Sequence, residues 1–303
     1  MYNGENYILR LLRSIENQFF NEIEIIFIDD FSTDNSIKVI KELQKNDSRI
    51  VLITLKRNKG TLFARNIGVL KSKGEFLIIP DVDDILSQNV LRMCYYIAKK
   101  NNFDLIRFNM YSDKEFVFNT IKKSNLSTSI KKYFIYGLGY KKLIDGIISN
   151  KFVKRAIYIK SINNIKKYYL DKYMTYFEDG LINFSLHRNA NSLYLLKRIG
   201  YFYIFNKNST SHSLNMNKYF TCYFIFLKFI FENVKSNEYE KDIVYFLLDE
   251  YIMTNEILNN ITKYSDIYEE VIDILLNSEY CKLNYKNKLL IMKKIILSIK
   301  NKG

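Results

Sequence analysis

The sequence predicts an α/β domain with a mostly parallel sheet, followed by a helical C-terminal region. Three observations predict it. Residues 1–110 alternate between helical periodicity and short apolar runs of strand length. Two of those runs end in acids, at "IDD" (28–30) and "PDVDD" (80–84), which suits buried parallel strands delivering polar groups to one sheet edge. From about residue 217 onward only a 3.6-residue period is left.

Each element has its own signal. "NYILRLLRSIENQFF" sets Ile8, Leu11, Leu12, Ile15 and Phe19 on one helical face, and "EIEIIFIDD" reads as a strand. "STDNSIKVIKELQKN" opens with capping residues and continues as a helix with Ile37, Ile40 and Leu43 inward. "RIVLITL" is a strand, "GTLFARNIGVLKS" a helix after a glycine turn, and "GEFLIIPD" a strand. "SQNVLRMCYYIAKK" is a helix with Ser87 as its cap, and "FDLIRFNMY" closes the series as a strand. Between 112 and 205 the pattern is less regular. It contains "GIISNKFVKRAIYIKS", a basic amphipathic helix, and "YMTYFEDGLINFSLHR", where an acidic pair precedes a helical stretch.

Composition narrows the function classes. The 303 residues are 48% hydrophobic and 26% charged, a folding composition. Three scattered cysteines argue against a disulfide framework or a zinc site and for a reducing compartment. Two histidines exclude a histidine-rich metal centre, which leaves a hard, oxygen-ligated cation. The longest apolar stretch, "YFTCYFIFLKFIF", is broken by Lys228 and too short to span a bilayer. The net charge of +14 fits either a phosphorylated or anionic partner or a lysine-rich solvated surface. Nucleic-acid binding has only that charge behind it and is not expected.

The acids carry the chemistry. Asp81, Asp83 and Asp84 repel one another at a strand end unless a cation offsets them. One or two carboxylates plus ligand phosphates are the usual setting of Mg²⁺ or Mn²⁺, whereas a plain turn with an Asp cap is the structural alternative. Asp29 and Asp30 read either as caps of the following helix or as hydrogen-bond acceptors for a base or ribose. Arg65 lies in a helix whose start can face phosphates. Glu178 and Asp179 suit either a general base or a first-turn acidic pair favoured by the helix dipole.

Taken together, "YNGENYILRLLRSIENQFFNEIEIIFIDDFSTDNS", "RNKGTLFARNIGVLKSKGEFLIIPDVDD" and "YFEDG" resemble glycosyltransferase family 2, inverting enzymes of the GT-A fold. The likeness is close over 1–110 and looser over 140–210. It implies a nucleotide-sugar half (1–110) and an acceptor half (111–210) in a domain spanning 1–210, with a helical extension over 211–303. It also implies roles. Tyr2 would lie against the nucleotide base, Asp30 would bind a uracil-type base, and Asp81 and Asp83 would hold Mn²⁺ or Mg²⁺ on the diphosphate. Asp179 would be the catalytic base, with Arg65 and Glu178 on the substrate side. "ISNKFVKR" (148–155) resembles the acceptor-side segment, with Ser149 where relatives often carry Trp.

The implied reaction moves a sugar from a nucleotide sugar, a UDP-sugar by resemblance, to a glycan or lipid-linked glycan in surface polysaccharide synthesis. The implied setting is cytoplasmic. The family's apolar first strand does not precede "YNGENY", so a truncated, inactive fragment is the alternative expectation. In the tail, Tyr285, Leu289, Met292, Ile296 and Ile299 recur at helical spacing beside Lys286, Lys293 and Lys300. That helix either lies on an anionic membrane face or packs on the rest of the domain.

Overall fold

The computed structural model describes residues 1–112, 121, 126–128, 147–169, 174–206 and 216–233, and single helical or turn residues between 269 and 297. Among these, β1 (Ile25–Asp29) and β2 (Ile50–Thr54) form a parallel pair. A second sheet takes β3 (Phe76–Leu77), β4 (Ile85–Leu86), β5 (Leu105–Ser112), β6 (Leu126–Thr128), β7 (Lys151–Lys154) and β8 (Leu193–Tyr203). Its order is β3-β7-β5-β8-β4, with β6 also on β8. Seven helices are described: α1 (Ile8–Glu16), α2 (Ser36–Gln44), α3 (Thr61–Lys71), α4 (Val90–Asn101), α5 (Arg155–Tyr169), α6 (Glu178–Asn189) and α7 (Met216–Asn233).

The α/β class holds, but the sheets are mixed rather than mostly parallel. The β1–β2 and β5–β8 pairs are parallel, whereas β3–β7, β4–β8, β5–β7 and β6–β8 are antiparallel. The antiparallel members come chiefly from the later half of the chain, where "GIISNKFVKRAIYIKS" is not one helix. Lys151–Lys154 pair with β3 and β5, and α5 starts only at Arg155. Two-sided backbone pairing outweighs helical periodicity there.

Other boundaries shift for local reasons. Phe19 lies beyond α1 at φ 46°, 63% exposed, so the apolar face stops at Ile15. "GEFLIIPD" is strand only at Phe76–Leu77. Helix α4 starts at Val90 behind a left-handed Asn89, and Ser87 serves it only through its carbonyl, which accepts the Val90 N–H at 3.3 Å. Ile40 is fully buried on α2, whereas Ile37 and Leu43 are half-buried. The strand β8 passed unread in the sequence, since its longest pairing, with β5, is to residues about 90 positions away.

The core joins α1 (Ile8, Leu11, Leu12, Ile15) to β1 (Ile25, Phe27), then through Leu86, Val90 and Cys94 to Ile106, Phe108 and Phe152. Close packing explains two glycines. A Cβ at Gly200 would stand 2.4 Å from Cδ2 of Phe108, and one at Gly180 would stand 2.9 Å from Cε2 of Phe226. Gly200→Ala is therefore expected to destabilise the protein by about 1–3 kcal/mol through overpacking; chemical unfolding measures it.

Helix α7 packs on α6 through Phe177, whose ring meets Tyr219, Tyr223 and Phe226 at 5.0–5.7 Å. No helix among the described residues is long and apolar enough to cross a membrane. Most of the basic tail, including Tyr285, Leu289, Met292, Ile296 and Ile299, lies outside the described residues. Within it Lys293 pairs with Asp273.

Candidate active site

Four segments converge on one cavity of about 1420 Å³: the end of β1, the β3–β4 turn, α3, and the start of α6. Its lining includes Tyr2, Asp30, Arg65, Asp81, Asp83, Glu178 and Asp179, so the acids of both halves meet.

The N-terminal loop is laced to the loop after β1. Asn3, Gly4 and Glu5 donate backbone N–H groups to Ser32 Oγ (2.9 Å), Ser36 Oγ (2.9 Å) and Asp34 Oδ2 (3.1 Å). This places Tyr2, 52% exposed, at the cavity mouth. Asp30 is buried and accepts the N–H groups of Lys59 (2.7 Å) and Gly60 (2.8 Å). Burial pushes its carboxyl above the usual range, against the pull of those two bonds. Asp30 therefore also anchors the turn into α3, where Gly60 sits at φ 88°.

The β3–β4 turn is held from behind. Asp84 is 1% exposed; its Oδ2 accepts the Tyr201 hydroxyl at 2.7 Å and its Oδ1 accepts the Ile204 N–H at 2.8 Å. Tyr201 also accepts the Asp81 N–H at 3.0 Å, so one phenol on β8 ties two of the three aspartates. The Asp83 carbonyl accepts Arg10 from α1, and its Oδ2 accepts Asn206 Nδ2 at 2.9 Å. Arg10, Tyr201 and Asn206 were missed in the sequence; the aromatic-rich "LYLLKRIGYFY" was an available clue to β8.

Burial, with Asp81 and Asp83 adding like charge, pushes the Asp84 carboxyl up to about 7. An acid with a raised folded pKa binds more protons folded than unfolded. Its stabilising effect is then full below the unfolded value and lost as pH rises toward the folded one. In chelator, stability is expected to fall between about pH 4 and 7, by up to about 1.4 kcal/mol per unit from this group. Asp84→Asn should flatten that slope; thermal unfolding across the pH range measures it.

Arg65 is the hub. Its guanidinium pairs with Asp81 Oδ1 at 2.7 Å, with Asp179 Oδ1, and with Glu178 Oε1 at 3.7 Å. Burial opposes its charge, but Asp179, Asp81 and Glu178 outweigh it and hold the group well above its usual pKa. Asp179 Oδ2 accepts the Ile148 N–H at 3.1 Å, and Ser149 Oγ donates to Asp81 Oδ2 at 3.2 Å. Burial raises the Asp179 carboxyl despite Arg65, while burial and Asp179 push Glu178 up to about 7. One cation facing three carboxylates leaves the cluster short of positive charge. Buried Lys151, on β7, adds part of it by favouring ionised Asp179.

No group of three or more His, Cys, Asp or Glu side chains is gathered for a metal among the described residues. The donor set nonetheless suits a hard divalent ion that takes its other ligands from phosphates. Asp81 and Asp83 are both half-buried carboxylates on the cavity wall.

In class, this is an α/β protein with a carboxylate-lined cleft at a sheet edge, bridged by one arginine. The sequence model of glycosyl transferase family 2 matches residues 1–163, and the chain belongs to that family. Glycosyltransferase GlyG of Streptococcus pneumoniae is 32% identical over 115 residues, 38% of each chain. EpsH of Bacillus subtilis is 27% identical over 254 residues, 82% of this chain and 72% of its own. The chain spans only 16–55% of the length of the first three curated relatives. In structure, S. aureus TarS 1-349, solved with UDP-GlcNAc, superposes with a TM-score of 0.69 at 17% identity, covering 100% of this chain and 90% of its own. The fold is therefore GT-A-like.

Proposed function

We propose that the chain is an inverting, divalent-metal-dependent glycosyltransferase that uses a nucleotide-sugar donor. In this reading the donor is a UDP-sugar and the acceptor a glycan or lipid-linked glycan of a cell-surface polysaccharide. The observation that carries it is the convergence of Asp81 and Asp179, from opposite halves of the chain, on Arg65, with Asp83 lining the same cavity. Support comes also from the family and from the UDP-GlcNAc in the TarS structure.

Each residue then has a task. Tyr2 offers a ring face to the base, and Asp30 shapes the base end of the cavity. Asp81 and Asp83 would hold the divalent ion, Mn²⁺ or Mg²⁺, which when bound offsets charge on the leaving diphosphate. Asp179 takes the proton of the acceptor hydroxyl, whose oxygen bonds to the anomeric carbon opposite the departing diphosphate. The raised pKa of Asp179 makes it a stronger base than an exposed aspartate. Glu178 and Arg65 hold the charge around it. Residues 1–210 form the transferase unit, and α7 supports the base helix from the 211–303 extension.

The test is transfer and donor hydrolysis with a panel of nucleotide sugars, with and without Mn²⁺. Absence of turnover together with absence of UDP binding would sink the reading. Asp83→Asn is expected to weaken Mn²⁺-dependent UDP binding about tenfold or more, as loss of a charged ligand bond costs about 1.5–3 kcal/mol. Titration calorimetry at fixed Mn²⁺ measures it.

A further inference from the structure

The turn that enters β7 touches acids from both sides of the cleft. Ile148 donates its N–H to Asp179 Oδ2 at 3.1 Å, and Ser149 Oγ donates to Asp81 Oδ2 at 3.2 Å. Asp81 comes from the β3–β4 turn and Asp179 from α6, so two neighbouring residues of a third segment set the spacing between them. Arg65 spans the same two carboxylates from α3.

The turn is itself fastened. Lys151 N–H donates to the Ile148 carbonyl at 3.1 Å, which closes a β-turn over 148–151. Phe108 N–H of β5 donates to the Asn150 carbonyl at 3.1 Å. The Lys151 side chain adds two more bonds. Its Nζ donates to the Ile147 carbonyl and, at 3.0 Å, to Asn150 Oδ1. One ammonium thus grips the residue before the turn and the residue at its third position.

That ammonium stands in an unfavourable place. Lys151 is 1% exposed, and lysine is rarely so buried without a specific use. Ile147 and Ser149 line the cavity, whereas Lys151 does not, so it acts on the site through the turn. A methionine would fill a similar volume without desolvating a charge. It would supply neither the donors for two oxygens of the turn nor a positive charge near Asp179, whose ionised form that charge favours.

We infer that Lys151 is a positioning residue for the proposed base: it holds the 147–150 turn so that Ile148 N–H and Ser149 Oγ keep Asp179 and Asp81 at a fixed separation across the cleft. The benefit to transfer rests on the transferase reading, whereas the fastening of the turn does not.

The test is Lys151→Met in the full chain. Lys151→Gln, which keeps an N–H donor without the charge, stands beside it in case the first fails to fold. Hydrogen exchange at the Ile148 amide is expected to speed at least about tenfold relative to the Ile25 amide, which donates to Arg49 in β1 and serves as the internal reference. The kcat of transfer is expected to fall at least about tenfold, since small misplacements of a reacting group are costly. In an Asp179→Asn background the same substitution should lower transfer less than about threefold, because a residue that acts through Asp179 then has nothing left to place. Unchanged relative exchange at Ile148 overturns the inference whether or not the chain turns over. An equal loss of transfer in both backgrounds also overturns it, since Lys151 would then act on the fold at large. If the native chain transfers no sugar while exchange speeds as expected, the transferase reading fails and the fastening of the turn stands.

Discussion

Asp179→Asn is expected to lower sugar transfer at least about 100-fold, the lower end of what general base catalysis contributes. Donor and metal binding should change little, because Asp179 reaches the cavity from the start of α6, not from the β3–β4 turn. The amide keeps an oxygen for the Ile148 N–H or for Arg65, so the helix start should stay in place. What is lost is the proton acceptor. Steady-state transfer beside UDP titration measures both. Near-normal transfer would remove Asp179 from the base role. A variant that fails already at donor binding would assign it to the donor side instead.

Arg65→Met is expected to be the most destabilising single change in the site. Its side chain is 11% exposed and faces Asp81, Glu178 and Asp179. Deleting one partner of a buried charge network costs about 3–5 kcal/mol, since the remaining charges stay buried and uncompensated. The carboxylates can relieve this by taking protons. Glu178, already pushed up to about 7, and Asp179 should both titrate higher without the guanidinium. The deficit should therefore shrink as pH falls from 8 toward 5.5, with the native chain showing a weaker trend. Urea unfolding at several pH values measures it. A deficit that does not vary with pH would mean that Arg65 acts by packing rather than charge.

Much of the scaffold was legible because it rests on local patterns. The apolar spacing of Ile8, Leu11, Leu12 and Ile15 requires one buried helix face, and the runs at 25–29 and 50–54 form strands, the first buried and the second only at Ile50. The acids at 28–30 and 80–84 stood out because carboxylates at the ends of apolar runs are costly unless used. Where neighbours along the chain compete with distant partners, the local signal misled. Lys151–Lys154 carry a helical pattern yet lie between β3 and β5. The tethers of the β3–β4 turn follow the same logic: Tyr201 lies 117 residues from Asp84, and Asn206 lies 123 from Asp83.

Over residues 1–110, most of the order of helices and strands and the apolar faces, and along the chain the positions of the candidate acids, were thus set by periodicity and residue type, which act within a few residues. The joining of those acids was settled in three dimensions. Arg65 meets Asp179 across 114 residues of chain, and that contact shapes the charge of the cleft. The mixed sheet arises in the same way, from backbone hydrogen bonds between distant segments. Backbone groups are common to every residue, so their long-range pairing leaves little trace in residue type.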